Sequence, residues 1–198
     1  MMATYLFIYY CIFLIALFVI PSYVTYKRTG IKPFKFSTEE TAINYVGKAY
    51  KIISSTAFVT ILINAFFPKV MLYFVPIQYL QNDILVWVGI GLIHLAFLII
   101  FIAQRNMANE WRIGIDNENK VNLITKGMFG ISRNPIFLGV IIVFLGLFFI
   151  IPNLITAIIL VAGVIVIQVQ VRLEEEFLLN QLGNEYMEYM TKVKRWIL

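Results

Sequence analysis

Residues 133–176 decide the fold of this chain, and they read RNPIFLGVIIVFLGLFFIIPNLITAIILVAGVIVIQVQVRLEEE. The middle of this stretch is almost entirely apolar, and only Pro152 and Asn153 interrupt it. The pattern predicts two apolar helices joined by a tight turn, that is, a helical hairpin. An arginine and an asparagine precede the first helix, and three glutamates follow the second. Because charged residues are costly near a membrane, this placement indicates a polar site at the ends of the hairpin.

The overall composition predicts an all-α integral membrane protein. The chain has 198 residues, of which 61% are hydrophobic and 14% are charged, and its mean hydropathy is +0.84. Soluble domains are typically about half apolar and a quarter charged. We expect one membrane domain over residues 1–198, with three helices in 1–103 and the hairpin and site in 104–198. Cys11 is the only cysteine, so no disulfide can form within the chain.

Five apolar stretches predict about five transmembrane helices. The first three reach the roughly 20 residues that a spanning helix needs, whereas the last two are shorter. We expect the fifth helix to continue into the glutamate run. The five stretches are residues 4–26, 45–67, 84–103, 136–151 and 154–171.

The basic residues predict the orientation of these helices. Of the sixteen Lys and Arg residues, six fall in 27–51, five in 104–135 and four in 172–198. Because cytoplasmic loops carry the excess of basic residues, the N-terminus is expected outside and the C-terminus in the cytoplasm, together with the site. Contact with anionic lipid accounts for the net charge of +5. No nucleic-acid partner is therefore expected.

The polar residues before the fourth helix are typical of a helix start. Asn134 is expected to cap the helix by accepting a hydrogen bond from a free backbone N–H, and Pro135 suits the first helical position. A helix N-terminus also favours an anion. The plainer interpretation is a cap beside an arginine, Arg133, that reaches toward the membrane surface. Gly139 and Gly146 are interpreted as positions of close helix packing.

The glutamate run allows a similar pair of interpretations. Arg172 lies three and four residues before Glu175 and Glu176, so these side chains share a helix face and can pair. Glu174 points elsewhere. A glutamate run by itself is most often a solvated face. The turn at residues 152–153 nevertheless brings this run close to Arg133.

The segment after the glutamates predicts a short amphipathic helix. Gly183 is a typical residue for the end of the preceding helix. The following apolar residues recur at helical spacing, which predicts a helix that lies on the membrane or covers a cavity. These residues are Tyr186, Tyr189, Met190 and Val193.

With these motifs in view, the chain resembles the isoprenylcysteine carboxyl methyltransferase family in its small prokaryotic form. The resemblance covers roughly the C-terminal half and depends on the order and spacing of four segments. Asn134 stands where the family has His, and Phe129 and Phe137 stand where it has Tyr. The four segments are Leu123-Ile-Thr-Lys-Gly-Met-Phe129, Arg133-Asn-Pro-Ile-Phe-Leu-Gly139, Glu174-Glu-Glu-Phe-Leu178 and Leu182-Gly-Asn-Glu-Tyr186.

The resemblance implies a methyltransferase of the prokaryotic inner membrane that uses S-adenosylmethionine and requires no metal. Its partners would be the lipid bilayer and a lipophilic small molecule or lipidated acceptor. For catalysis it implies Arg172, which would hold a substrate carboxylate, together with Glu174 and Glu175. For cofactor binding it implies Val121, Asn122, Leu123, Ile124, Gly127, Phe129, Arg133, Asn134, Pro135, Ile136, Phe137 and Glu175.

Two other functions stay open at this point. A membrane reductase of the sterol-reductase type would use NADPH, although this chain is short for one. A non-enzymatic lipid-binding protein would use the arginine and the glutamates only as an ion pair. His94, the only histidine, is expected to be a packed, hydrogen-bonded residue. Gln104 and Arg105 could equally face a cofactor or anchor their helix.

Overall fold

The computed structural model describes residues 2–31, 40–112 and 122–197, and helices account for most of them. Short 3₁₀ turns connect some of these helices. The prediction of an all-α protein is confirmed. The helices are α1, Met2–Thr29; α2, Ala42–Phe66; α3, Asp83–Met107; α4, Pro135–Ile150; α5, Leu154–Leu182; and α6, Asn184–Lys192.

Four of these helices are long and apolar enough to cross a membrane: α1, α2, α3 and α5. The first helix of the hairpin, α4, is shorter and has 16 residues. At 1.5 Å per residue it is about 24 Å long, which is less than the roughly 30 Å of a bilayer core. The chain is therefore an all-α integral membrane protein. Crossing by α4, which would make five spans, stays a prediction.

Glycines bring α3 and α4 into close contact. A Cβ atom at Gly146 would lie 2.9 Å from the carbonyl oxygen of Gly89 and 2.7 Å from Cγ2 of Ile93. A Cβ atom at Gly139 would collide with the side chain of Ile100. No side chain larger than hydrogen fits at these contacts, so the interpretation of both glycines as packing positions is confirmed.

A capped turn fixes the junction between α4 and α5. The Asn153 side chain accepts a hydrogen bond from Thr156 N at 2.9 Å, and the Thr156 hydroxyl accepts one from Asn153 N at 3.2 Å. Leu154 N also donates to Val75 O at 3.2 Å, which ties the turn to a preceding loop. With this end held, the polar ends of α4 and α5 lie on the same side of the molecule.

A π-helical segment interrupts α1 at Ile15–Val19. Such a segment leaves a backbone carbonyl without its usual helical partner. Here the Leu17 carbonyl accepts a hydrogen bond from the buried side-chain amide of Gln104, so Gln104 anchors α3 to α1. The Arg105 guanidinium lies over the Phe101 ring, 4.9 Å from its centroid.

His94 is hydrogen-bonded at both ring nitrogens. Nε2 lies 3.0 Å from the Tyr5 hydroxyl, and Nδ1 lies 2.8 Å from the Ile90 carbonyl oxygen. The expectation of a hydrogen-bonded histidine is met, although His94 lies on the exposed surface of α3.

Candidate functional site

The start of α4 differs from the expectation for Asn134. Pro135 is the first helical residue, as predicted. Among the described residues, however, the Asn134 side chain caps no backbone N–H of α4. Its amide Nδ2 instead donates to Glu175 Oε1 at 3.0 Å, while its backbone N donates to the Ser132 hydroxyl at 3.1 Å. The capping prediction was wrong because the amide is turned toward α5, where Nδ2 donates to a carboxylate, and Oδ1 caps no backbone N–H of the first turn of α4.

Glu175 is the centre of a buried polar cluster, and its side chain is only 6% exposed. The Arg133 guanidinium donates to both of its oxygens, from Nε to Oε1 at 3.1 Å and from an Nη to Oε2 at 3.3 Å. Arg195 donates to Oε2 from Nε at 3.0 Å and from an Nη at 2.7 Å. Two arginines and one amide thus share a single carboxylate, which keeps its buried charge compensated.

The residues after α6 complete this cluster, and we call 193–197 the tail. One Nη of Arg133 donates to the carbonyl oxygen of Val193 in the tail at 2.8 Å and to that of Met190 in α6 at 3.2 Å. The backbone N of Arg133 donates to Lys194 O at 2.9 Å, and the Ser132 hydroxyl donates to Arg195 O at 3.0 Å. The tail is therefore bound along the start of α4.

Arg172 does not join this cluster. It is exposed on α5, where its guanidinium donates to the carbonyl and side-chain oxygens of Gln168 at 2.7 and 2.8 Å. Glu175 is bound instead by Arg133 and Arg195. The expected pairing of Arg172 with Glu175 is thus replaced, because partners distant in the sequence reach the buried carboxylate.

Two cavities meet at this cluster. Counted together with the open solvent at their mouths, they enclose about 820 and 780 Å³ of empty space. The same side chains line both cavities where they adjoin, and Glu174 is the carboxylate among them. The shared residues are Met107, Arg112, Phe129, Arg133, Asn134 and Glu174.

The first cavity is the more apolar, and spanning helices supply much of its wall. Its own lining residues include Phe18, Tyr50, Ile136, Phe137, Val140 and Gln170. The second cavity lies between the loop before α4, the end of α5, and α6. Its own lining residues include Glu110, Leu123, Ile124, Phe177, Tyr186 and Tyr189.

Hydrogen bonds hold the loop before α4 on both sides. The Tyr189 hydroxyl donates to the Phe129 carbonyl at 2.6 Å. Burial raises the pKa of Tyr189 to about 12, so the phenol stays protonated and can donate at neutral pH. On the other side, Asn106 Oδ1 accepts a hydrogen bond from Met128 N at 2.9 Å. The Asn106 side chain packs against Gly127, whose φ of +64° favours glycine.

The cofactor-binding candidates divide between the two cavities. Asn122, which donates to Glu110 at 2.8 Å, lines the second cavity together with Leu123 and Ile124. Val121 lies outside the described residues. The other described candidates fall into three groups: Phe129, Arg133 and Asn134 line both cavities, Pro135, Ile136 and Phe137 line the first only, and Gly127 and Glu175 line neither.

Three features of the site were missed from the sequence. Arg112 lines both cavities, Arg195 binds Glu175, and Ser132 joins α4 to the tail. The only signal for Arg195 was its basic character, which had been used to predict orientation. By contrast, the expectation that the short terminal helix covers a cavity is met by Tyr186 and Tyr189.

A family model described as phospholipid methyltransferase matches residues 84–185, which run from α3 into α6. The chain belongs to the phospholipid methyltransferase family. This family is related to the isoprenylcysteine carboxyl methyltransferases, so the resemblance seen in the motifs is confirmed. A comparison with curated proteins found no match. Membership of the phospholipid methyltransferase family identifies a membrane methyltransferase. None of these comparisons supports the reductase or the lipid-binding interpretation.

Proposed function

We propose that the protein transfers a methyl group from S-adenosylmethionine to a lipophilic acceptor. The observation that carries this proposal is the meeting of two cavities at Arg133, Asn134 and Glu174. Methyl transfer needs two ligands whose reacting atoms meet while their remaining parts lie apart. Holding them in adjoining cavities supplies the proximity and orientation that lower the barrier.

The second cavity suits the cofactor. Leu123, Ile124 and Phe129 provide an apolar wall for an adenine ring, and Glu174 provides a carboxylate at the junction. S-adenosylmethionine supplies a methyl group on a positively charged sulfur, and a carboxylate favours a cation held nearby. We therefore assign cofactor contact to Glu174. Glu175, the other candidate, lies behind the wall and holds Arg133 and Asn134.

The first cavity suits a lipophilic acceptor. Phe18, Tyr50 and Val140 line it from α1, α2 and α4. Burial of a hydrocarbon chain against such side chains is favoured by roughly 25 cal/mol per Å² of apolar surface. With this assignment, Pro135, Ile136 and Phe137 contact the acceptor rather than the cofactor.

The acceptor group itself would lie at the junction. A carboxylate acceptor, as in isoprenylcysteine, needs no base at neutral pH, and we assign Arg112, which lines both cavities, to hold it. Both arginines of the junction also bond within the protein: Arg112 donates to the Trp111 carbonyl at 3.0 Å, and Arg133 donates to Glu175 and to two backbone carbonyls. A thiol, amine or hydroxyl acceptor would need a proton acceptor, and Glu174 is placed to be one.

The proposed orientation follows from the basic residues and the position of the site. The site lies at the ends of α3, α4 and α5 that adjoin the basic segments 104–135 and 172–198. By the positive-inside rule this end faces the cytoplasm, where S-adenosylmethionine is available, and the N-terminus lies outside.

Calorimetric titration of the detergent-purified protein with S-adenosylhomocysteine tests the proposal. We expect micromolar binding by the wild type and at least about tenfold weaker binding by Glu174→Gln, since a charge contact to the ligand is lost. The matched control is Glu176→Gln, an exposed member of the same glutamate run, which should bind like the wild type. No binding by a folded wild type would refute the proposal.

A further inference from the structure

We propose that Arg195 is a positioning residue of this site: through Glu175, it holds Arg133 and Asn134 in the shared wall of the two cavities. The inference rests on the function proposed above and deepens it. Arg195 lies in the tail, beyond residue 185, where the family match ends. It is absent from the lining of both cavities, so any effect on the reaction must pass through other residues.

The geometry divides the Glu175 carboxylate between two groups of donors. Arg195 binds Oε2 through two nitrogens, at 2.7 and 3.0 Å. Oε1 accepts from Asn134 at 3.0 Å and from Arg133 at 3.1 Å, and a second nitrogen of Arg133 reaches Oε2 at 3.3 Å. Arg195 thus holds Oε2 from the tail side. The orientation of the carboxylate then determines where Oε1 binds Arg133 and Asn134, which line both cavities.

An exposed ion pair in α6 provides a comparison for the Arg195–Glu175 pair. The Lys192–Glu188 pair is close, at 2.5 Å, but its side chains are 66% and 70% exposed. Such pairs contribute little. In the Arg195–Glu175 pair the side chains are 32% and 6% exposed. The buried carboxylate there cannot replace a lost donor freely with water.

Loss of Arg195 should therefore displace residues in the shared wall of the two cavities and leave the packing of the membrane helices unchanged. With the two Arg195 donors removed, Oε2 would retain the 3.3 Å hydrogen bond from Arg133, and the Arg133 guanidinium and the Asn134 amide would shift toward that oxygen. Both residues line the two cavities. The expected consequence is a distorted cofactor site in a protein whose helices remain packed.

A double-mutant cycle tests this inference, with S-adenosylhomocysteine affinity measured for Arg195→Gln, Glu175→Gln and the double variant. We expect Arg195→Gln to bind about tenfold more weakly, and the double variant to bind no more weakly than Glu175→Gln alone, since one residue acts through the other. Arg195→Lys, which keeps the charge but loses the paired donors, should be intermediate. The control Lys192→Gln should bind like the wild type.

Hydrogen exchange supplies a readout that needs no ligand. In Arg195→Gln the backbone amides of residues 133, 134 and 136–138 should exchange faster than in the wild type, while those of α3 should not change. Unchanged exchange, unchanged affinity or simple additivity in the cycle would each overturn the inference. Because exchange is measured without S-adenosylhomocysteine, failure of the wild type to bind it would count against the proposed function alone.

Discussion

Glu174 and Glu175 are consecutive on α5 but face different surroundings. Glu174 lines both cavities, whereas Glu175 points to the start of α4 and binds Arg133 and Arg195. Successive residues of an α-helix are rotated by about 100°, so neighbours necessarily lie on different faces. Together with the exposed Glu176, three identical side chains therefore have three different environments.

Removal of the buried carboxylate should destabilise the protein. Glu175→Ala leaves Arg133 and Arg195 without their acceptor, and we expect a loss of about 3 kcal/mol in unfolding free energy, because uncompensated buried charge is costly. Thermal unfolding in detergent measures this. Glu176→Ala, at an exposed position, should stay within about 0.5 kcal/mol of the wild type. Equal effects from the two substitutions would contradict the buried ion-pair cluster.

The local features of the chain were largely predictable, whereas the contacts at the site were not. Hydrophobic pattern and length predicted the apolar helices, and Pro152-Asn153 predicted the turn between α4 and α5. The partners of Glu175 come from positions 42 and 20 residues away. Helical spacing cannot reveal such partners, so Arg172 was expected where Arg195 is found. For the same reason Asn134 was predicted to cap its own helix.

The contact between α3 and α4 should tolerate no added side chain. Gly146→Ala would place a methyl group against the Gly89 carbonyl and Ile93, and overpacking of this kind costs roughly 1–3 kcal/mol. We expect a lower melting temperature in detergent. Gly91→Ala is the control, because it lies on α3 with nothing within 4 Å of the added Cβ. It should be neutral or slightly stabilising, and a similar loss at both positions would argue against this helix contact.

Two arginines can be compared for acceptor binding. Arg112→Gln should raise the KM for an acidic lipophilic acceptor by about tenfold, since a charged hydrogen bond at the junction is lost. Arg172→Gln should leave that KM unchanged, because Arg172 is exposed and binds only Gln168 among the partners described. Steady-state rates with detergent-solubilised acceptor measure both. The opposite ranking would restore Arg172 as the substrate-binding residue that the sequence suggested.

The loop before α4 should depend on one phenol. Tyr189→Phe removes the donor to the Phe129 carbonyl, and we expect about fivefold weaker binding of S-adenosylhomocysteine from the loss of roughly 1 kcal/mol. Because burial raises the pKa of Tyr189 to about 12, its contribution to stability is fully present below pH 10, the ordinary range for tyrosine, and is lost as pH approaches 12.

Tyr73→Phe, at a residue that is 84% exposed, is the control for that substitution and should bind like the wild type. A wild-type affinity for Tyr189→Phe would show that the loop is held by other contacts.

The position of the tail has a consequence for biosynthesis. Arg133 and Glu175 leave the ribosome before residues 193–195, which supply the Arg195 guanidinium and two of the carbonyls that bind Arg133 and Ser132. The apolar helices can thus enter the membrane while the charged cluster between α4 and α5 is still incomplete. Maturation of this enzyme would then occur in two stages, with insertion of the helices first and closure of the polar cluster only when the tail has been synthesised.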